Sequence, residues 1–398
     1  MGDPILQAFL QLDDWCRQRN FSGYDPFDAL NSELFQSLPF KNSAAARLLW
    51  TQLLKRSPID LRRVTRVTTG PNAKGIALFA LAALANYRRT KSGDAEQQVR
   101  TLLQQLIRLR ISGCTGAAWG YNFDWQSRIF FAPGNTPTIV PTAFAARAFI
   151  EAHHAFGNEE YLELARKTCD FVLSDLPRTV DTQEEVCFGY KPGSTDRIYN
   201  ASLLAAETLS SVASLTSEAE LCKLAIRAMR YVTGAQRGDG SWTYGADERQ
   251  SWVDSFHTAF VLGSLNRIIK ACDTQNSEGF HSALERGYEF WRESFFLADG
   301  WPKYYDDSPY PADAHSAATA IATFCDLREI DDGALALAER VAKWSIDNLR
   351  DSSGFFYYQR RRFYTVRTPF MRWSQAWMLY GLSRLLEEKS KARELRME

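Results

Sequence analysis

Among the 398 residues only five are histidine, at positions 153, 154, 257, 281 and 315. His257 and His315 lie 58 residues apart, and each opens a segment rich in small and apolar residues. Asp254 precedes His257 by one helical turn, a spacing that puts carboxylate and imidazole on the same helix face. There the carboxylate can orient the ring and raise its basicity, which is what a general base near neutral pH needs. Asp313 and His315 complete the catalytic candidates. The competing reading makes Asp254 a helix cap and His257 part of a packed wall. His153 and His154 end one helix and His281 sits on another, so all three read as structural.

A second group has the chemistry of binding. Aromatic residues are 13% of the chain, and many fall in loops ahead of the small-residue segments. The candidates are Trp119, Tyr121, Asp124, Tyr190, Asn200, Trp252, Trp301, Tyr304, Tyr357, Arg361, Arg372 and Trp373, with Arg128 nearby. Flat rings stack on the apolar faces of pyranose sugars, and interleaved Asp, Asn and Arg can bond the hydroxyls. The alternative is that each glycine–aromatic pair is a plug between helices, Trp242 and Trp301 above all. Arg360, Arg361, Arg362, Arg367 and Arg372 follow one another closely. Arginine binds carboxylates bidentately, so an acidic sugar such as a uronate is the natural ligand. The 47 basic and 47 acidic residues cancel, which argues against a nucleic-acid partner.

Four functions fit these residues. In the first, His257 or a rim tyrosine removes the proton α to a uronate carboxylate neutralised by Arg361 and Arg372, giving C5 epimerisation or elimination. In the second, two of Asp124, Asp254, Asp306 and Asp313 hydrolyse a glycoside. The third is non-catalytic saccharide binding, in which titratable groups would be dispersed. The fourth is terpenoid chemistry.

Positioning these residues requires a repeated scaffold. Five segments share a glycine beside aromatics, a polar loop and a small-residue-rich helix, with helix starts aligned at Thr142, Asn200, His257, His315 and Trp373. The intervals are 58, 57, 58 and 58 residues, and a weaker sixth copy begins at Gly75. Helices apolar on nearly all sides must be buried on nearly all sides. Between them lie amphipathic helices, at Glu96 to Arg110, Glu159 to Leu176, Glu218 to Gln236, Glu278 to Phe296 and Gly333 to Leu349, with Ala45 to Leu54 as the sixth. The pattern predicts a single all-α domain over residues 1–398. It is a closed ring of six helical hairpins, with an extra helix over 3–19 packing on a rim. It resembles the (α/α)6 toroid of carbohydrate-active proteins, and with variations that of terpenoid cyclases and prenyltransferases. The aromatic loops then share one rim with the inner-helix N-termini, which favour anions.

Two local resemblances follow. Gln236-Arg-Gly-Asp-Gly-Ser-Trp242 is similar to the QW repeat of squalene–hopene-type cyclases, which ties helices together. The acidic motif of those cyclases is absent. Asp239-Gly-Ser-Trp-Thr-Tyr, followed by Trp252-Val-Asp-Ser-Phe-His-Thr-Ala-Phe-Val-Leu, resembles the VpsJ-like group of bacterial exopolysaccharide-biosynthesis proteins, implying a role in making or tailoring a polysaccharide. No stretch reaches the length of a membrane span, and Met1 to Asn20 does not have the pattern of a secretory signal. The seven cysteines show no C-x-x-C spacing. They read as reduced thiols of a cytoplasmic protein, with no metal site and no cofactor.

Overall fold

A computed structural model describes residues 2–127, 130–273 and 279–394. Its helices in chain order are α1 (Pro4–Arg17), α2 (Glu33–Gln36), α3 (Ala44–Arg56), α4 (Ala73–Thr90), α5 (Gly93–Arg108), α6 (Ile139–Phe156) and α7 (Glu159–Ser174). They continue as α8 (Tyr199–Thr216), α9 (Ala219–Gly234), α10 (Ser255–Ala271), α11 (Phe280–Phe295), α12 (Ala314–Asp326), α13 (Ala334–Leu349) and α14 (Trp377–Glu394). Helices α4, α6, α8, α10, α12 and α14 pack side by side, and α14 returns to α4. The ring is therefore closed, and the chain is an (α/α)6 toroid. The inner helices are buried as their composition demands: every residue from Ala73 to Ala85 is buried in α4, and every residue from Ala314 to Cys325 in α12. The outer helices bury one face only, as with Val99, Leu102, Leu103 and Leu106 of α5.

The sixth outer helix is α1, not Ala45–Leu54, and it does not lie on a rim. Helix α1 packs on α13 and α14 and buries Ile5, Ala8, Phe9, Leu12, Trp15 and Cys16, a full outer-helix stripe. The repeat glycines show the same equivalence. Gly240 and Gly300 have positive φ, and a Cβ on either would come within 2.5 and 2.6 Å of the carbonyls of Arg286 and Arg340 on the next outer helix. Gly354 has φ +103 and faces the Gln11 carbonyl of α1 in the same way. Only glycine tolerates that conformation so close to a backbone. The predicted helix at Ala45–Leu54 does form, as α3, but it buries only Thr51 and Leu54. It belongs to an insertion between α1 and α4, anchored by buried Arg62, which pairs with Asp28 at 2.9 Å. Lys55 and Arg56 at its end reach the mouth of the central cleft.

Short strands stiffen the loops on that rim. Strand β1 (Trp125–Gln126) pairs with β2 (Phe131–Ala132), and β3 (Arg178–Asp181) with β4 (Val186–Phe188). A three-stranded sheet joins β5 (Ala312–Asp313), β6 (Gln359–Arg360) and β7 (Thr365–Val366). At the opposite end of the ring axis an ionic cluster lines a second cavity of about 220 Å³. Glu207 accepts from Arg147 at 2.5 Å and from Ser264 at 2.7 Å, Asp326 pairs with Arg267 and Arg384 at 3.1 Å each, and Arg88 pairs with Glu387 at 2.7 Å.

The expectation that all cysteines are reduced fails at one pair. Cys222 at the start of α9 and Cys272 at the end of α10 meet at the same rim and form a disulfide, with Cα atoms 5.8 Å apart. They are 50 residues apart in sequence, so only the ring brings them together. Among the described residues no helix is long and apolar enough to cross a membrane.

Candidate active site

The aromatic rim opens into a cleft of about 240 Å³. Its wall is one repeated position. The residue two places after the N-cap of each inner helix lines it: Lys74, Val140, Asn200, Phe256 and His315, after caps at Asn72, Thr138, Ile198, Asp254 and Asp313. Arg372 takes the sixth place, from a π-helical turn (Met371–Ala376) that leads into α14. Below this ring, Phe144, Phe260 and Trp377 lie with centroids 5.3 to 5.9 Å apart and form an aromatic floor. Tyr121, Tyr190, Trp252 and Tyr304 reach the cleft from the loops, and so does Trp373 from the π-helical turn.

Asp254 caps α10 and also orients His257. Its Oδ1 accepts the backbone N–H of His257 at 2.9 Å, and its Oδ2 receives His257 Nδ1 at 2.7 Å and Trp252 Nε1 at 3.0 Å. Capping and base-orientation thus coexist. With the proton on Nδ1, Nε2 keeps its lone pair, the tautomer a base requires. The His257 side chain is 22% exposed, in the cleft wall. The Phe256 ring lies between the two histidines, 4.0 Å from His257 and 4.6 Å from His315 by centroid. His315 is buried, and neither ring nitrogen has a hydrogen-bond partner among the described residues. Burial, then Lys74 and Arg372, hold its pKa well below the usual histidine range, so the ring is neutral.

Asp313 does not reach the cleft, which corrects its catalytic assignment. It is fully buried, caps α12 through the N–H of His315 at 2.8 Å, and accepts Gln359 Nε2 and Trp373 Nε1 at 3.0 Å each. It holds His315 and Trp373 in place. Burial raises its pKa despite those bonds. Among the described residues the only carboxylate lining the cleft is Asp254.

The cationic residues of the cleft are largely others than those predicted. Arg372 is present but gives Nε and Nη2 to Asp25 at 2.6 and 2.8 Å. Arg361 turns back over Tyr364 between β6 and β7, outside the cleft. Lys55 and Lys74, which the sequence reasoning passed over, take its place. Burial pushes both lysine pKa values down. Lys74 was detectable: it stands directly before Gly75, in the first turn of the weak sixth repeat.

Four binding candidates serve the scaffold instead. Trp119 is fully buried, with Nε1 donating to the Leu106 carbonyl at 2.8 Å. Trp301 donates to the Pro309 carbonyl and packs on Trp344, and Tyr357 donates to Asp351 at 2.9 Å. Asp124 accepts the Gly134 N–H within its own loop. Trp242 is a plug as expected, bonded to the Val232 carbonyl at 2.8 Å. Gln236 bridges to the Ala283 carbonyl of α11, so this motif ties helices together. Arg128 lies outside the described residues. Trp119→Ala is expected to cost about 3–5 kcal/mol in urea unfolding without changing saccharide affinity. Unchanged stability with weakened binding would return Trp119 to the site.

No group of three or more His, Cys, Asp or Glu residues among the described residues is arranged to hold a metal. No family model and no curated protein matches the chain. Solved structures do. A cellobiose 2-epimerase from Bacillus thermoamylovorans is 14% identical, with TM-score 0.63 over 82% of this chain and 90% of its own. A GH76 α-mannanase from Bacteroides thetaiotaomicron is 13% identical, with TM-score 0.62 over 82% and 88%. An unsaturated glucuronyl hydrolase specific for heparin is 14% identical, with TM-score 0.62 over 97% and 96%. The chain thus shares the (α/α)6 fold of these carbohydrate-active enzymes.

Proposed function

We propose that the chain is a carbohydrate-active enzyme that transfers a proton at a carbon next to a carbonyl or carboxylate of an anionic saccharide. A uronate C5 is the position the sequence favours, and exopolysaccharide tailoring its setting. The observation that carries this reading is the Asp254–His257 pair at 2.7 Å, opening on the same cleft as a neutral, unpartnered His315. His257 Nε2 takes the proton, and the C–H electron pair moves into the adjacent carbonyl or carboxylate as an enolate. Lys74 and Arg372 lie where they can stabilise that charge. Return of a proton to the opposite face gives the epimer. Expulsion of a β-alkoxy group gives the unsaturated product instead. The His257 imidazolium returns the proton once the planar enolate has turned in the cleft, and neutral His315, on the other side of Phe256, hydrogen-bonds the substrate.

Asn200 Oδ1 is buried in the wall without a partner among the described residues, an acceptor suited to a sugar hydroxyl. The neighbours described as cellobiose 2-epimerase and D-mannose isomerase agree with this class. Hydrolysis by paired carboxylates has less support, because Asp254 stands alone in the cleft lining. A simple binding protein would not need a carboxylate–imidazole pair within hydrogen-bond reach. The test is incubation with uronate oligosaccharides and reducing disaccharides in D2O, followed by NMR. Deuterium entering at one ring or chain carbon is the expected result. Reducing-end release without carbon-bound deuterium would replace this reading with hydrolysis.

A further inference from the structure

The ammonium of Lys74 has an unusual place. It sits on the aromatic floor, 4.7, 5.0 and 5.3 Å from the ring centroids of Phe144, Phe260 and Trp377. The residue is only 2% exposed, and no hydrogen-bond acceptor or carboxylate among the described residues partners its Nζ. Its charged neighbours are Arg372, Asp25 and Arg147, and Asp25 is already bound to Arg372. Contact with ring faces offsets part of the desolvation of a buried cation. Ring faces supply no oxygen acceptor for its N–H donors, and Lys74 lines the cleft, so an oxygen of a ligand can take that place. By contrast, the half-buried arginines of the ionic cluster beneath the floor, Arg147 and Arg384, each have a carboxylate.

We propose that Lys74 is the seat for an oxyanion of the substrate, the carboxylate or phosphate of a terminal sugar unit lowered onto the aromatic floor. The proposal rests on reading the cleft as a saccharide site. Two features make the sugar terminal. The cleft, at about 240 Å³, is smaller than the roughly 300–1,000 Å³ of sites that enclose drug-sized ligands. It also ends at Phe144, Phe260 and Trp377, so a chain cannot pass through. The anion then shares the cleft with His315 and Arg372, which line it together with Lys74. The substrate is accordingly a small acidic sugar or the acidic end of a chain.

The experiment compares wild type with Lys74→Met by calorimetry, using glucuronate, glucose 6-phosphate and glucose. Methionine keeps length and apolar contact, and removing an unpaired buried charge from an apolar cage is not destabilising, so the variant should melt at or above the wild-type midpoint. Wild type should prefer one of the two anions over glucose, and Lys74→Met should lose that preference by at least about tenfold while glucose binding is kept. Loss confined to glucuronate identifies a carboxylate, and loss confined to glucose 6-phosphate a phosphate. Equal anion preference in both proteins, or no anion preference in wild type, overturns the seat. His257→Gln run alongside should retain the preference, so a failed catalytic reading and a failed anion seat give different results.

Discussion

His257→Ala is expected to lower the rate of carbon–hydrogen exchange by about 100- to 10,000-fold, the usual contribution of a positioned general base. Substrate affinity and the thermal midpoint should change little. The side chain is partly exposed to the cleft, and its removal leaves Asp254 still bonded to Trp252 Nε1 and still capping α10 through the backbone N–H of residue 257. Asp254→Asn should give a smaller loss, because an amide no longer fixes Nδ1 as the protonated nitrogen. The check is the initial rate of deuterium entry at saturating substrate, together with a melting curve. Full activity in His257→Ala would make the residue a wall element and remove the base from the proposed chemistry.

Glu207→Ala should destabilise the fold by about 3–5 kcal/mol, because breaking a buried ion pair leaves its partner uncompensated. Arg147 and Arg267 both face this carboxylate, and Ser264 donates to its second oxygen. Burial alone would raise the Glu207 pKa, but Arg147, Arg267 and Ser264 outweigh it and bring the group below its ordinary 4.5. Glu387 behaves alike: burial opposes ionisation, while Arg88 and Arg384 bring its pKa to about 2. A depressed carboxylate stabilises the fold above its unfolded pKa, and this is lost as pH falls through the folded value. Urea midpoints should therefore decline from pH about 4.5 towards 2. Glu207→Ala should start lower and show a shallower decline. An unchanged slope would mean that the cluster contributes nothing to acid sensitivity.

Much of the ring was legible in the sequence. A 57–58-residue interval, helices without a polar face and amphipathic partners leave few arrangements other than hairpins closed around an axis, because each inner helix must be covered on every side. The Asp254–His257 pair was legible for the same reason: three residues on a helix determine their own geometry. Asp313 and Trp119 misled because a chemically capable side chain looks the same in sequence whether it faces a cleft or a carbonyl. Asp313 is drawn inward by Trp373, 60 residues away, and Trp119 by Leu106.

The sequence by itself determined the period, the alternation of buried and half-buried helices, and the rim that carries the first turns of the inner helices. These follow from local spacing and from the need to bury apolar surface. Only the tertiary structure decided which helix closes the ring, which cations face the axis, and which cysteines meet. Helix α1 displaced Ala45–Leu54 because Gly354 and the α13–α14 surface accept its longer apolar stripe. Lys74 became central, and Arg361 peripheral, because direction toward the axis depends on helix phase and loop pairing. Those are fixed by contacts between residues tens to hundreds of positions apart, which no local pattern encodes.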